Sequence, residues 1–161
     1  MGSVKQAGRA GQTSRARRPR ALQTSRELGL WRVGGRAYNA RTMAHIDYRM
    51  RKRALLRQLR RGLVSRIDVC DAHPELIRAA KHIGEPTRDE CPVCGYEGLR
   101  LVLYTYGKEL KRANGWPRRS AELRELRGSV DQFTCYVVEV CLDCGWNHLV
   151  RAFDTGRRVA G

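Results

Sequence analysis

Apolar, β-branched and aromatic residues gather in three segments of the C-terminal half of the chain, and this pattern predicts three β-strands. The segments are Leu99–Tyr106, Gln132–Val140 and Trp146–Phe153, and their composition is typical of strands with a partly buried face. Three antiparallel strands form a small sheet that helices can cover. We therefore expect a three-stranded antiparallel sheet in this part of the chain.

Helical periodicity precedes these strands. From His45 to about Arg61 there is no Pro or Gly, and one arc of about 100° on a helical wheel holds Tyr48, Leu55, Leu56 and Leu59. The neighbouring arc, of about 120°, holds five arginines: Arg49, Arg53, Arg57, Arg60 and Arg61. A second helix is expected to follow, with Asp71 or His73 as its cap, Pro74 near its first turn and an apolar stripe that ends before Gly84. The predicted fold class is α+β, with this N-terminal helix pair packed with the sheet.

An insertion, rather than a tight hairpin, separates the first two predicted strands and spans Lys108–Val130. Within it, Ser120–Arg127 has the pattern of a short helix. The insertion also places basic residues around a tryptophan, which can stack on a nucleic-acid base or, equally, cover the edge of a small core. The candidate nucleic-acid contacts here are Lys111, Arg112, Trp116, Arg118 and Arg119.

Two C-x-x-C-G motifs carry the strongest chemical signal, Cys91–Gly95 and Cys141–Gly145. Each spacing lets one tight turn aim two thiolates at a single ion. Two such turns supply four sulfur ligands at roughly 2.3 Å in the tetrahedral geometry that suits Zn²⁺ and leaves no position for water. We therefore predict one structural zinc, while iron in the same ligand set and redox or disulfide roles remain open. The predicted ligands are Cys91, Cys94, Cys141 and Cys144.

The other two cysteines lack a partner at metal-binding spacing. Cys70 is interpreted as a small buried hydrophobe or a reactive thiol, and Cys135, which lies inside a predicted strand, as a packing residue. His148 follows Cys144 by four residues. It could support the metal site, but a place on the strand surface is favoured.

Basic residues are unevenly spread along the chain. The 161 residues carry 32 Lys and Arg against 16 Asp and Glu, and residues 1–42 hold ten of the basic residues with one acid. Residues 1–42 have no apolar period, so we expect a disordered basic tail. A nucleic-acid-binding arm, an organellar transit peptide and an upstream extension before Met43 remain open. We therefore divide the chain into this tail, a helical segment (43–86) and a zinc ribbon (87–161) with the basic insertion 108–130.

From about Ile46 to Phe153 the chain resembles an uncharacterised actinobacterial family of small proteins of unknown function. The resemblance does not cover residues 1–42, and it implies a cytoplasmic protein without implying an established activity. The four-cysteine part also looks like the zinc ribbons of transcription and translation proteins, which is a likeness of fold. The motifs that carry the family resemblance are Asp47-Tyr48, Val69–Pro74, Leu76–Lys81, Cys91–Cys94, Val138–Cys141 and Cys144–Val150.

Several classes of protein are disfavoured. The chain has no G-x-S-x-G, P-loop, H-E-x-x-H or dinucleotide-binding fingerprint, so we expect a non-enzymatic protein without a small-molecule substrate. No stretch approaches the roughly 18 apolar residues of a membrane helix, so no membrane partner is expected. The basic N-terminus has no apolar segment of a secretory signal behind it, and we expect a cytoplasmic protein.

The leading hypothesis is a zinc-binding protein that contacts nucleic acid or a nucleic-acid machine such as RNA polymerase or the ribosome. Arginine outnumbers lysine 27 to 5, which a GC-rich coding bias would produce without selection for phosphate binding. The alternative is therefore a protein–protein interaction module with structural zinc and no nucleic-acid contact. A thiol-redox sensor that uses Cys70 or Cys135 is less favoured. The sequence does not distinguish RNA, DNA and protein partners.

Overall fold

The computed structural model describes residues 30–33, 36–39 and 45–158. In the first two ranges the backbone forms an antiparallel strand pair, β1 (Leu30–Val33) and β2 (Arg36–Asn39). This pair lies within the tail that was predicted to be disordered. The rest of residues 1–42 lies outside the described residues, so the prediction of disorder stays a prediction.

The described part of the chain contains a six-stranded antiparallel sheet in the order β3-β8-β7-β5-β4, with β6 also paired to β5. The α+β class is confirmed, but the prediction of three strands is wrong. The three long strands β5, β7 and β8 are the predicted ones, and the other three are short edge strands whose two or three residues cannot display a period. The strands are β3 (His45–Asp47), β4 (Glu85–Pro86), β5 (Leu99–Tyr106), β6 (Trp116–Arg118), β7 (Phe133–Cys141) and β8 (Asn147–Thr155).

The first long helix begins four residues later than predicted. His45 pairs with Phe153 as part of β3, and the helix starts only at Arg49, whose backbone N–H donates to the Asp47 carboxylate at 2.8 Å. Gly62 follows the helix with φ +69°, as expected of a glycine that ends a helix. The helices are α1 (Arg49–Arg60), α2 (Arg66–Val69), α3 (Pro74–Ile83), α4 (Ser120–Ser129) and a 3₁₀ helix (Lys108–Ala113).

Helix α1 and the insertion cover one face of the sheet. Leu55 and Leu59 of α1 pack with the buried Trp146 near the cysteines. Farther along the same face, Leu110 and Leu123 of the insertion pack in the core with residues of β5, β7 and β8. The insertion, which connects β5 to β7 along the chain, therefore forms a folded layer on this face of the sheet.

Helix α3 covers the opposite face, but only at the cysteine end. Ala80 is fully buried there against Val102 of β5 and Val140 of β7. Beyond these residues the same face is lined by half-exposed tyrosines. No helix in the described part of the chain is both long and apolar enough to cross a membrane.

Candidate metal centre and basic surfaces

The four predicted ligands converge at one end of the sheet. The Sγ atoms of Cys91 and Cys144 are 3.6 Å apart, and those of Cys94 and Cys141 are 3.7 Å apart. All four sulfur atoms lie within 4.8 Å of one another. Sulfur atoms that surround one ion tetrahedrally with bonds of about 2.3 Å are about 3.8 Å apart. The four thiols therefore fit a single metal ion.

The two C-x-x-C-G turns share one hydrogen-bond pattern. In each turn, the first cysteine's N–H donates to the carbonyl five residues later, and the glycine's N–H donates back to the first cysteine's carbonyl. Gly95 and Gly145 have φ angles of +76° and +78°, a conformation that favours glycine. Both turns thus present their cysteines in the same way. The bonds are Cys91 N–H to Tyr96 O (2.9 Å), Gly95 N–H to Cys91 O (2.9 Å), Cys141 N–H to Trp146 O (2.8 Å) and Gly145 N–H to Cys141 O (3.2 Å).

Burial differs among the four thiols. Cys91 and Cys141 are buried, whereas Cys94 and Cys144 are half-buried. Burial raises the pKa of the Cys91 thiol well above its usual range. A metal ion binds thiolates, so binding at this site releases protons and weakens as the pH falls.

A fifth cysteine lies beside this cluster. Cys70 is half-buried, and its Sγ is 3.6 Å from that of Cys144, which is 74 residues away in the chain. The exposed Arg66 guanidinium lies near both thiols, and its interaction with them raises the pKa of Arg66. Burial, together with the neighbouring Cys144, raises the pKa of the Cys70 thiol to about 11. The interpretation of Cys70 as a buried hydrophobe missed this contact, because nothing in the local spacing links it to the C-x-x-C-G motifs.

The backbone after α2 is docked on the second turn. Ala72 N–H donates to Gly145 O at 3.0 Å, and Asn147 Nδ2 donates to Asp71 Oδ1 at 2.9 Å. A Cβ on Gly145 would lie only 3.0 Å from Cys70 O. Glycine is therefore favoured at 145 both by its φ angle and by the close approach of this segment.

A polar network links α1 to the metal end of the sheet. The Lys52 ammonium lies 2.6 Å from a carboxylate oxygen of Glu139, and Trp146 Nε1 donates to the same carboxylate at 2.9 Å. His148 stacks on Trp146 with ring centroids 5.9 Å apart and is not part of the four-cysteine group. His148 lies on β8 as expected, but it is half-buried against Trp146 rather than placed on the strand surface.

The arginine face of α1 lies on the surface. All five of its predicted residues are exposed, and Arg49 pairs with Asp47 at 2.6 Å. Within residues 45–158 the other four form no ion pair with a carboxylate. We call these four residues the arginine stripe: Arg53, Arg57, Arg60 and Arg61.

The five candidates in the insertion divide into two groups. Lys111 and Arg112 are exposed, and Trp116 is also exposed. Arg118, however, lies over the Trp116 ring at 5.7 Å and 3.8 Å from Glu122, while Arg119 donates to the His82 carbonyl at 3.1 Å. These two guanidinium groups are thus engaged within the protein. The five side chains in question are Lys111, Arg112, Trp116, Arg118 and Arg119.

The structure does not combine the two basic groups into one surface. Helix α1 packs over β8, whereas β6 pairs with β5 on the other side of β7. The candidates in α1 and in the insertion therefore lie toward opposite edges of the sheet.

An aromatic groove on the sheet is a feature that the sequence reasoning missed. It occupies the part of the α3 face that α3 does not cover and has a volume of about 540 Å³. Tyr104 pairs with Tyr136 across the sheet, and the Tyr106 and Tyr136 rings meet edge to face at 5.3 Å. Alternating tyrosines at 104 and 106 were the available signal. The lining residues are Leu76, Tyr104, Tyr106, Tyr136, Val138 and Leu149.

Comparison with known proteins gives a family but no activity. The model of a family of unknown function, DUF5318, matches residues 39–160. Uncharacterised proteins of Mycobacterium bovis and Mycobacterium tuberculosis are each 42% identical over 111 residues, which is 69% of this chain and 81% of the relative. No solved structure matches the chain. These matches confirm the family resemblance inferred from the motifs, and the chain belongs to the DUF5318 family.

Proposed function

We propose that this protein is a non-enzymatic zinc-binding protein that contacts nucleic acid through the arginine stripe of α1. The proposed zinc binding is supported by four thiols that converge with distances between sulfur atoms that suit tetrahedral zinc. Four thiolates close the coordination shell, so the ion has a structural role and offers no position to a substrate. Rubredoxin-like iron uses the same ligands, and metal analysis of the purified protein distinguishes the two.

The position of the site explains how zinc stabilises this fold. Cys141 ends β7 opposite Leu99, the first residue of β5, and Cys144 precedes β8. One ion therefore joins the ends of the three long strands. Structural zinc contributes an apparent binding free energy of roughly 10–16 kcal/mol in small zinc fingers at neutral pH, and this energy is coupled to folding.

The observation that favours a nucleic-acid contact is the exposed arginine stripe, which forms no ion pair with a carboxylate of residues 45–158. Residues 49–61 include seven basic and no acidic residues. Arg53 lies four residues before Arg57, which lies four before Arg61, and like charges at this spacing destabilise a helix by about 0.2–0.5 kcal/mol per pair. A row of phosphates relieves this repulsion and releases counterions. A nucleic acid, free or within RNA polymerase or the ribosome, is therefore the partner that this surface suits.

Salt-dependent binding tests the nucleic-acid contact. The full chain is titrated with duplex DNA and with RNA at several salt concentrations, beside the variant Arg53→Gln/Arg57→Gln and the control Arg88→Gln/Arg124→Gln. Both variants lose two exposed positive charges. Each lost phosphate contact lowers the salt slope on duplex DNA by about 0.9, so the stripe variant should lose about 2 units and the control almost none. Equal slopes for the two variants, or no binding at low salt, would contradict the proposal.

A second candidate function is a protein–protein interaction module, which the aromatic groove favours. Its lining is apolar apart from the tyrosine hydroxyls, and it lies on the sheet face that α3 leaves open. Affinity purification from native cells, with and without nuclease, distinguishes the two functions. Partners that disappear after nuclease treatment support the nucleic-acid contact, whereas partners that persist support the module.

A further inference from the structure

The pair formed by Cys70 and Cys144 stands apart from the other close cysteine pairs. Cys91–Cys144 and Cys94–Cys141 join two members of the four-thiol group. Cys70 lies outside that group and still comes within 3.6 Å of one of its members. Its thiol is therefore available for chemistry while the four ligands hold a metal.

Access also favours this pair. Cys70 and Cys144 are both half-buried, and the side chain beside them, Arg66, is exposed. Cys94 is half-buried as well, but its close neighbour is Cys141, another member of the four-thiol group. Cys91 and Cys141 are buried, and Cys135 is fully buried within the core under the insertion. A small oxidant thus reaches Cys144 and Cys70 more readily than these three thiols.

We propose that Cys70 and Cys144 form a reversible disulfide when the protein meets a hydroperoxide, and that this bond withdraws one of the four metal ligands. The inference rests on the proposed metal site. It assigns Cys70 the role of resolving thiol and Cys144 the role of peroxide-reactive ligand.

The chemistry balances with hydrogen peroxide as the two-electron oxidant. The Cys144 thiolate attacks one peroxide oxygen, the O–O bond breaks, and the products are a Cys144 sulfenic acid and hydroxide. The Cys70 sulfur then attacks the Cys144 sulfur, forming the S–S bond and displacing the sulfenic hydroxyl, which leaves as water with the Cys70 thiol proton. Each sulfur is oxidised by one electron, and the two peroxide oxygens are reduced to hydroxide and water.

The surroundings favour closure of this bond. The sulfur atoms need to approach by about 1.5 Å to reach the length of a disulfide. The backbone of both partners is already docked, by Ala72 N–H on Gly145 O and by Asn147 on Asp71. The remaining three thiolates no longer close a tetrahedral shell, so the metal dissociates more easily.

The test uses the full-length protein, loaded with zinc and assayed for metal content before treatment. Hydrogen peroxide is added, zinc release is followed with a chromogenic chelator, and cross-links are mapped without reduction. Trypsin places Cys70 in peptide 67–78 and Cys144 in peptide 128–151 together with Cys135 and Cys141, so fragment spectra are needed to assign the bond. Thiol reductant and zinc are then added, and zinc recovery is measured.

The expected result is a Cys70–Cys144 bond, zinc release, and recovery of zinc after reduction. In Cys70→Ala the Cys144 sulfur oxidises past the sulfenic acid, so zinc recovery should fall at least about fivefold, while the control Cys135→Ala should recover like the wild type. The Cys70–Cys144 bond is looked for in the wild-type protein itself, and its absence after oxidation would overturn the proposal. Equal recovery by Cys70→Ala would also overturn it. A protein that binds no zinc before oxidation would instead overturn the proposed metal site.

Discussion

The Lys52 ammonium lies 2.6 Å from the carboxylate of Glu139, which is buried on the central strand of the sheet. Lys52 falls within the apolar arc of α1, where a lysine is expected to extend its charge into solvent. Here the ammonium instead reaches a carboxylate that Trp146 Nε1 also holds. The pair fixes α1 on the sheet at a place where an unpaired charge is costly.

Removal of this ammonium should therefore destabilise the protein. In Lys52→Met, the Glu139 carboxylate keeps Trp146 as its partner but loses the ammonium. The free energy of unfolding should fall by about 2–3 kcal/mol. This loss is somewhat smaller than for a fully buried pair because Lys52 is partly exposed. Urea denaturation measures the change. Lys81→Met, which removes an exposed lysine from α3, is the control. The double variant Lys52→Met/Glu139→Gln should recover part of the loss, and equal midpoints for Lys52→Met and the control would contradict the pairing.

Metal removal should unfold the cysteine end of the sheet. A strong zinc chelator should lower the melting temperature and reduce the circular dichroism signal, because the ion joins the ends of three strands. Cys94→Ser should bind less than one zinc per chain, as measured by elemental analysis. Cys135→Ala, which changes a cysteine outside the four-thiol group, should keep the metal. An unchanged melting curve after metal removal would disprove a structural role.

The two turn glycines offer a matched pair of substitutions. Gly95→Ala has nothing within 4 Å of the new Cβ and should cost about 1 kcal/mol for the positive φ alone. Gly145→Ala has the same φ cost and also brings the Cβ to 3.0 Å from Cys70 O. We therefore expect Gly145→Ala to be the more destabilising in urea denaturation. Equal losses would show that the Cys70 segment is not held against the second turn.

Cys135 should make stability depend on pH in the alkaline range. Full burial raises the pKa of its thiol from 9.0 to about 12. The unfolded chain therefore loses this proton first, and the stabilisation by the neutral buried thiol is complete below pH 9 and is lost as the pH rises toward 12. In that window, the unfolding free energy of the wild type should fall relative to that of Cys135→Ala by about 1.4 kcal/mol for each unit of pH. A difference that is the same at pH 8 and pH 11 would contradict this account.

The parts of the structure that follow from local spacing were predictable. Each C-x-x-C-G motif specifies its own turn, so the four candidate ligands could be named without knowledge of the fold. The long strands β5, β7 and β8 and the helix over Pro74–Ile83 likewise contain enough residues to display a period.

The parts that depend on tertiary contacts were not predictable. The strand at His45–Asp47 exists because β8 supplies its hydrogen-bond partners, and its residues alone include no Pro or Gly that would separate them from the helix. The contact between Cys70 and Cys144 and the pairing of Lys52 with Glu139 join residues 74 and 87 positions apart. The helical and strand periods in a sequence describe neighbouring residues and do not indicate contacts between residues so far apart.

The pairing of β3 with β8 has a consequence for how the protein is made. The first strand of the main sheet finds its partner only in residues 151–153, about a hundred positions later. Contacts between residues so far apart in the sequence slow folding, because the entropy of closing the intervening loop is lost before the contacts stabilise the chain. While β8 and the nearby Cys144 are still inside the ribosomal tunnel, the emerged part of the chain holds an incomplete set of the four thiols. Completion of the sheet and stable metal capture should accordingly be late and nearly simultaneous events that wait until β8 and Cys144 have emerged from the ribosome.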